Sequence, residues 1–141
     1  MKLTKSLQSS KGQSLTELAL ITPIFLILAL GIFDYGRVYF AYVSVTNGAR
    51  TGADYAAANC DASCDAADIM GIRSAVVAET SELLNTSPTN PTVNVNTGGW
   101  FGPDHRNVDV TVNYTFSTLI PWPGLPNTMN VERTVRARVR E

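Results

Sequence analysis

The chain has 141 residues, of which 45% are apolar and 16% are charged, and its net charge is −1. This length suits one small domain, and a near-neutral to acidic balance argues against a nucleic-acid-binding protein, which would present a basic surface. All three lysines lie in residues 1–11, so a chain lacking that segment would carry a charge of −4 (−1 minus 3).

The first predicted element is an apolar helix near the N-terminus. Leu18 to Phe33 is a run of 16 residues without a charge. At about 1.5 Å per residue it covers about 24 Å of a hydrocarbon layer that is ~30 Å thick. Extending the helix back to residue 15 spans the layer and places Glu17 at its edge. Placing an ionisable group there costs a few kcal/mol of free energy, so Glu17 is expected to have a partner. We predict a transmembrane segment over about residues 15–33.

The charges on either side of this segment predict its orientation. The three lysines precede it without an acidic residue among them, whereas Asp34 and Arg37 behind it cancel. By the positive-inside rule, residues 1–12 form a basic cytoplasmic leader and the chain after the segment is extracytoplasmic. Aromatic residues of the kind that anchor helices at the headgroup layer come directly after it: Tyr35, Tyr39, Phe40 and Tyr42.

A secretory signal peptide is the alternative, because it also combines basic residues with a short apolar core. Residues 29–31 (Ala-Leu-Gly) offer a cleavage site with small residues, and cleavage there would release a secreted binding domain that starts near Ile32. Two features favour a retained anchor. Glu17 stands at the start of the apolar core, and the helical pattern continues past residue 33 without a break.

The helix is predicted to extend well beyond the membrane. No proline occurs from Asp34 to Ala58, so we expect one long N-terminal helix over residues 13–58. A spacing of four keeps small residues on one helical face and lets another backbone approach closely. The partner of this face is open, since it can pack on the protein's own sheet or on a neighbouring subunit. Its predicted members are Ser44, Gly48, Gly52 and Ala56.

Two cysteines, Cys60 and Cys64, lie in the run NCDASCD. In an oxidising compartment, thiols this close predict a local disulfide that pins the end of the long helix to the next segment of the chain. A metal site would also recruit the aspartates at positions 61, 65 and 68, but their spacing matches neither a zinc site nor a calcium loop. We therefore predict the disulfide.

The predicted fold class is α+β, with residues 59–141 forming a small extracytoplasmic domain. Asp65 to Leu84 has the pattern of a second, shorter helix. Three later stretches alternate valines with polar residues, and turns are expected at Gly98-Gly99 and within the proline-rich residues 121–126. The simplest assembly is an antiparallel three-stranded sheet with one face on the helices and one in water. Arginines at 133, 136, 138 and 140 predict a solvated edge strand, with salt bridges between subunits as an alternative.

The sequence predicts a protein without enzymatic activity. His105 lies next to Asp104, but no motif places a nucleophile beside it, and no phosphate loop, HExxH or dinucleotide fingerprint occurs. Trp100 and Trp122 are more typical of core or loop anchors than of a ligand cage. We expect no cofactor, no metal, no small-molecule substrate and no nucleic-acid partner.

The stretch KGQSLTELALITPIFLILALGIFDYGRVYFAYVSVTNGARTGADYAA resembles the TadE-like family. These proteins are pseudopilin or minor-pilin components of the tight-adherence (Tad, or Flp-type) branch of type IV pilus machinery. The resemblance lies in the GQ…E start, the proline in the apolar run, the G…D.GR exit and the GAR.GA.YAA segment, and it is looser downstream. It implies a pilin-like, single-pass protein of the bacterial inner (cytoplasmic) membrane that can enter a surface pilus.

The resemblance also implies a processing site and a subunit contact. A prepilin-type peptidase would cut between Gly12 and Gln13, and Glu17 would set the register between subunits by pairing with the freed amine of a neighbour. A buried carboxylate is tolerable when it is paired in this way. Gln13 and Leu18 differ from the apolar first residue and the Tyr of major pilins, and fit the pseudopilin branch better.

The partners implied by the resemblance are the membrane, the peptidase, other pilin or pseudopilin subunits, and pilus assembly proteins. The alternative is an uncleaved single-pass scaffold that holds pilus assembly proteins and never enters a fibre.

Overall fold

The computed structural model describes residues 10–60, 64–81, 91–100, 106–121 and 124–139. Two helices, α1 (Ser10–Asn59) and α2 (Ala66–Glu79), precede three strands: β1 (Thr92–Trp100), β2 (Arg106–Ser117) and β3 (Thr128–Arg138). The strands form an antiparallel sheet in the order β1-β2-β3. The predicted α+β class, with a long helix, a shorter one and a three-stranded sheet, is confirmed.

The chain divides into two units, Met1–Gly36 and Arg37–Glu141. The described part of the first unit is the beginning of α1, and every residue from Gly12 to Leu30 in it is exposed. Leucine, isoleucine and phenylalanine lie on all sides of this helix; Leu20, for example, is 74% exposed. A helix that is apolar all round is typical of a membrane span.

The second unit holds one hydrophobic core between the helices and the sheet. Alternation along β2 points Val110, Val112 and Tyr114 to the same face, and all three are buried there. From α2, Ile72 and Val76 are fully buried in the same core. The remainder of α1 contributes mostly small side chains, which let it lie close: Ala41, Val45, Ala49, Ala53 and Ala56.

A capping box starts α2. The Asp65 side chain accepts a hydrogen bond from the Asp68 amide at 2.8 Å, and the Asp68 side chain accepts one from the Asp65 amide at 3.0 Å. These bonds satisfy amides that the first turn of a helix leaves without partners. The predicted start near Asp65 is thus explained by its side chain. The predicted end at Leu84 lies outside the described residues, and α2 ends at Glu79.

The turn predicted at Gly98-Gly99 is wrong. Both glycines belong to β1, which continues to Trp100. The register shifts between Asn96, which pairs with Asp109, and Gly99, which pairs with Asn107. Two residues of β1 therefore face one residue of β2, which is a β-bulge, and glycine in a strand commonly marks this feature.

On the polar face of the sheet, Asp109 of β2 and Arg136 of β3 form a bidentate salt bridge. Arg136 Nε lies 2.6 Å from Asp109 Oδ1, and Arg136 Nη2 lies 2.8 Å from Asp109 Oδ2. The two residues are register partners, so the sheet itself aligns them. Arg133 and Arg138 are exposed, as the prediction of a solvated strand requires, and Arg140 lies outside the described residues.

We expect this ion pair to make the stability of the second unit depend on pH. The hydrogen bond from Arg136 holds the pKa of Asp109 below its ordinary value. A carboxyl group with a lowered pKa stabilises the fold above its unfolded pKa of about 3.9, and this contribution is lost as the pH falls through the folded pKa. Because both side chains are partly exposed, the effect is modest.

Asp109→Asn should therefore unfold at a lower temperature than the wild type at pH 7, and the difference should shrink as the pH falls below about 4. Thermal unfolding followed by circular dichroism at pH 7, 5 and 3 measures it. Arg136→Gln serves as the matched control and should show the same pH dependence. If the difference in unfolding temperature between the variant and the wild type stays constant from pH 7 to pH 3, the stabilising role of the ionised Asp109 would be contradicted.

Candidate functional site

The residues that the sequence singles out for processing and subunit register lie within two turns of α1. The Gln13 side-chain amide donates to Glu17 Oε1 at 3.4 Å, one turn away. The Thr16 hydroxyl donates to the Gln13 carbonyl oxygen at 2.7 Å. Gln13 is neutral, so its bond orients the Glu17 carboxylate without neutralising it. Glu17 is exposed on the helix surface, at the start of the apolar run.

Deeper in the run, Pro23 is accommodated without a break in α1. Proline has no amide hydrogen, so the carbonyl four residues earlier, that of Ala19, loses its usual donor. The adjacent Thr22 hydroxyl turns back onto the helix and donates to the Leu18 carbonyl oxygen at 2.6 Å. The Thr22 hydroxyl thus has a hydrogen-bond partner within the helix, as a hydrocarbon environment requires.

These features together fit a single-pass membrane anchor. Within the part of the chain that the structure describes, α1 is the one helix long and apolar enough to cross a membrane. Its N-terminal stretch exposes a continuous apolar surface, much larger than a soluble monomer usually presents. Glu17 is the single acidic residue in positions 1–33.

The small-residue face lies in the second unit, and its two glycines pack within the same chain. A Cβ atom at Gly48 would lie 2.6 Å from Thr80 Cγ2. At Gly52 it would lie 2.6 Å from Val76 Cγ2 and 3.1 Å from Val110 Cγ1. The spacing of four left open whether this face packs on the chain itself or on a neighbouring subunit. At Gly48 and Gly52 it packs on the chain's own α2 and sheet.

The outer members of this face differ. Ala56 is fully buried, whereas Ser44 is half-buried.

Two close contacts in the second unit were not anticipated from the sequence. Gly71 of α2 lies against the Tyr55 ring of α1, so that an added Cβ atom would overlap the ring. The Arg37 guanidinium lies over the Phe116 ring, 5.0 Å from its centroid, in a cation–π contact. A glycine inside a helical pattern was the available sign of the first contact, because it is unfavourable there unless tight packing compensates.

The predicted disulfide between Cys60 and Cys64 is confirmed, with Cα atoms 4.8 Å apart. The Cys60 amide still donates to the Ala56 carbonyl oxygen at 3.0 Å, so this cysteine closes the last turn of α1. Cys64 directly precedes Asp65, the N-cap of α2. The disulfide therefore joins the end of one helix to the start of the next.

Removing this disulfide should lower the free energy of unfolding by about 2 kcal/mol, since it closes a ring of only five residues. The double substitution Cys60→Ala and Cys64→Ala tests this by urea denaturation with and without a reducing agent. The reductant should shift the wild-type midpoint and leave that of the double variant unchanged. A wild-type midpoint that is indifferent to reduction would contradict the stabilising role.

Several interpreted residues fall outside the described part of the chain, and their interpretations stay predictions. They are Lys2, Lys5, His105 and Trp122, and the side chain of Trp100 belongs with them. Among the described residues, no group of three or more His, Cys, Asp or Glu side chains is placed to hold a metal ion.

One family model matches the N-terminal part of the chain. Residues 12–54 match the model of the family described as TadE-like protein, which confirms the resemblance drawn from the sequence. The matched segment contains Gly12, Gln13 and Glu17 as well as the glycines at 48 and 52, whereas Ala56 and both cysteines lie beyond it. No curated protein and no solved structure matches the chain. The family match and the apolar helix together fit a membrane protein associated with the Tad pilus.

Proposed function

We propose that this chain is a pseudopilin or minor pilin that takes part in assembly of a type IV (Tad/Flp-type) pilus or a related secretion pseudopilus. The observation that carries the proposal is an apolar helix exposed on all sides, with one carboxylate, Glu17, at its start. Both lie inside the segment that matches the TadE-like family. A surface of this kind needs lipid before assembly and neighbouring helices afterwards.

The first step of the proposed mechanism is cleavage after Gly12 by a prepilin-type peptidase. It removes the basic leader and leaves Gln13 with a free amine. Along a helix, this amine lies about 6 Å from Glu17, four residues at about 1.5 Å each. The new N-terminus and the carboxylate are then opposite charges at the same end of the apolar segment.

The second step is pairing between subunits. A lone charge among apolar helices costs several kcal/mol unless an opposite charge accompanies it. When one subunit is displaced along the fibre by a few residues, its Glu17 can meet the Gln13 amine of a neighbour, and both charges are neutralised. Because other displacements separate the Glu17 of one subunit from the amine of its neighbour, the pair sets the register. We propose no chemical reaction for the protein itself.

The second unit is proposed to lie outside the inner membrane, with the N-terminus in the cytoplasm. The Cys60–Cys64 disulfide supports this orientation, because disulfides persist in oxidising compartments. In this arrangement the partners are the peptidase, other pilin or pseudopilin subunits, and pilus assembly proteins.

Substitution of Gly12 tests the proposed cleavage. No atom beyond the local helix lies within 4 Å of a Cβ atom built at Gly12 or at Gly36, so Gly12→Val and Gly36→Val are matched in their structural consequences. Because the scissile bond is the one after Gly12, a branched side chain there should obstruct the peptidase. We expect Gly12→Val to accumulate in the membrane at full length and Gly36→Val to be shortened by 12 residues, as the wild type is.

Mass spectrometry of membrane extracts from cells with the cognate peptidase distinguishes the two lengths. Full-length wild-type protein in those cells would contradict the proposal and leave the uncleaved scaffold as the function.

A further inference from the structure

The β2–β3 hairpin ends in an exposed apolar tip, residues 119–121 and 124–126 of the described chain. Leu119 is 59% exposed and Leu125 is 66% exposed. The Thr118 amide donates to the Asn127 carbonyl oxygen at 3.0 Å and closes the base of the tip. From residue 110 to residue 131 the chain carries no charged side chain. The tip thus exposes large apolar groups to water, and its own stretch of chain supplies no charged residue to solubilise it.

The packing of α1 on β2 fixes the end of the second unit at which this tip lies. Gly52 of α1 packs against Val110, whereas Arg37 packs over Phe116. The 15 residues from 37 to 52 rise by about 22 Å as a helix, and the six from 110 to 116 span about 20 Å as a strand. The two elements therefore run antiparallel, and the tip lies at the end where the second unit begins.

That end is close to the membrane for a covalent reason. Arg37 lies four positions after Phe33, the last residue of the apolar run. Four residues of chain reach at most about 14 Å, whatever the orientation of the second unit. Since Phe116 contacts Arg37 and Leu119 is three residues further on, the tip is within reach of the headgroup layer.

We propose that the hairpin tip inserts Leu119 and Leu125 into the interfacial layer of the membrane that α1 crosses. This inference rests on the proposed membrane anchoring of α1. Exposed leucines in a proline-containing stretch of chain that has no charged residue suit the boundary between headgroups and acyl chains, into which peripheral apolar groups penetrate about 5–10 Å. Tyr39, which is 62% exposed and two residues beyond Arg37, adds an aromatic group of the kind enriched at that layer.

The insertion gives the anchor a second point of contact. A single transmembrane helix leaves its domain free to rotate and tilt above the bilayer. A hairpin tip held in the headgroup layer restricts both motions, so the second unit would present a fixed side to neighbouring subunits before assembly.

Quenching by spin-labelled lipids tests the insertion on the full chain. Single-cysteine variants Leu119→Cys and Leu125→Cys are labelled with an environment-sensitive fluorophore and reconstituted into phosphatidylcholine vesicles containing lipids with a doxyl group near the headgroup. The native cysteines are joined to each other and do not react. Asn94→Cys, an exposed site on the polar face of the sheet, is the matched control, and Ile24→Cys reports on the anchor itself.

We expect the labels at 119 and 125 to be quenched roughly two- to threefold more strongly than the label at 94, because the doxyl group lies at the expected depth of insertion. Equal quenching at 119, 125 and 94, with Ile24 still quenched by lipids labelled deep in the acyl chain, would overturn the insertion and leave the anchor intact. A label at Ile24 that no lipid quenches would overturn both. Shielding of the tip that appears only at high protein density, without lipid quenching, would assign the tip to another copy of the chain and also overturn the proposal.

Discussion

Replacing Glu17 by alanine is expected to leave membrane insertion of the chain intact and to remove most of it from assembled pili. Insertion becomes easier, because Glu17 is the single acidic residue in positions 1–33. Assembly should fail, because the Gln13 amine of a neighbouring subunit would lose its counter-charge. Breaking one side of a buried ion pair costs about 3–5 kcal/mol, and even the lower value corresponds to about a hundredfold in an equilibrium constant.

The measurement compares the amount of protein in carbonate-washed membranes with the amount in sheared surface fibres. Glu17→Asp keeps the charge and should retain part of the incorporation. Thr16→Ala is the matched neighbour: it removes a hydroxyl that bonds only the backbone of the same helix, and it should assemble normally. Pilus output from Glu17→Ala equal to that of the wild type would remove the proposed role of this carboxylate.

Replacing Gly52 by leucine is expected to destabilise or unfold the second unit. Even a Cβ atom would lie 2.6 Å from Val76 Cγ2 and 3.1 Å from Val110 Cγ1, and leucine adds three further carbons. Val76 and Val110 are fully buried, and their β-branched side chains have little rotameric freedom to move aside. Overpacking of this kind costs typically about 1–3 kcal/mol and sometimes more, a large share of the stability of a small domain.

Gly36→Ala is the matched control, since its Cβ atom meets no atom beyond the local helix within 4 Å. It should raise the stability of the helix by up to about 1 kcal/mol, because alanine is the better helix former. Chemical denaturation of both variants, followed by near-ultraviolet circular dichroism, measures the contrast. If the Gly52→Leu protein is as stable as the wild type but defective in assembly, the result would indicate that this face packs against another subunit and not against the chain's own core.

The elements were predictable where one local pattern admits one structure. An uncharged apolar run such as Leu18 to Phe33 forms a helix of the kind that spans membranes. The alternating valines of β2 form a strand with one buried face. Gly98-Gly99 was misassigned because paired glycines serve a turn and a β-bulge equally well. The pairing of Asp109 with Arg136 depends on strand register, which the composition of either strand does not specify.

In the candidate site, too, the residues that could be named in advance are close together in the sequence, whereas the contacts between distant residues could not be predicted. Gly12 and Gln13 were singled out by the resemblance to the TadE-like family and Glu17 also by its place at the start of the apolar run, and their roles stay predictions. The partner of Gly48 and Gly52 was undetermined, because a spacing of four permits any close-packed neighbour. The contact between Arg37 and Phe116, and with it the location of the hairpin tip, joins residues far apart in the chain and needed the structure.

The N-terminal residue of the mature protein tests the central claim most directly. Protein extracted from membranes and from sheared fibres of cells that carry the complete pilus machinery can be sequenced from its N-terminus. Our account predicts Gln13 as the first residue in both fractions. Met1 in the membranes, together with no protein in the fibres, would contradict it.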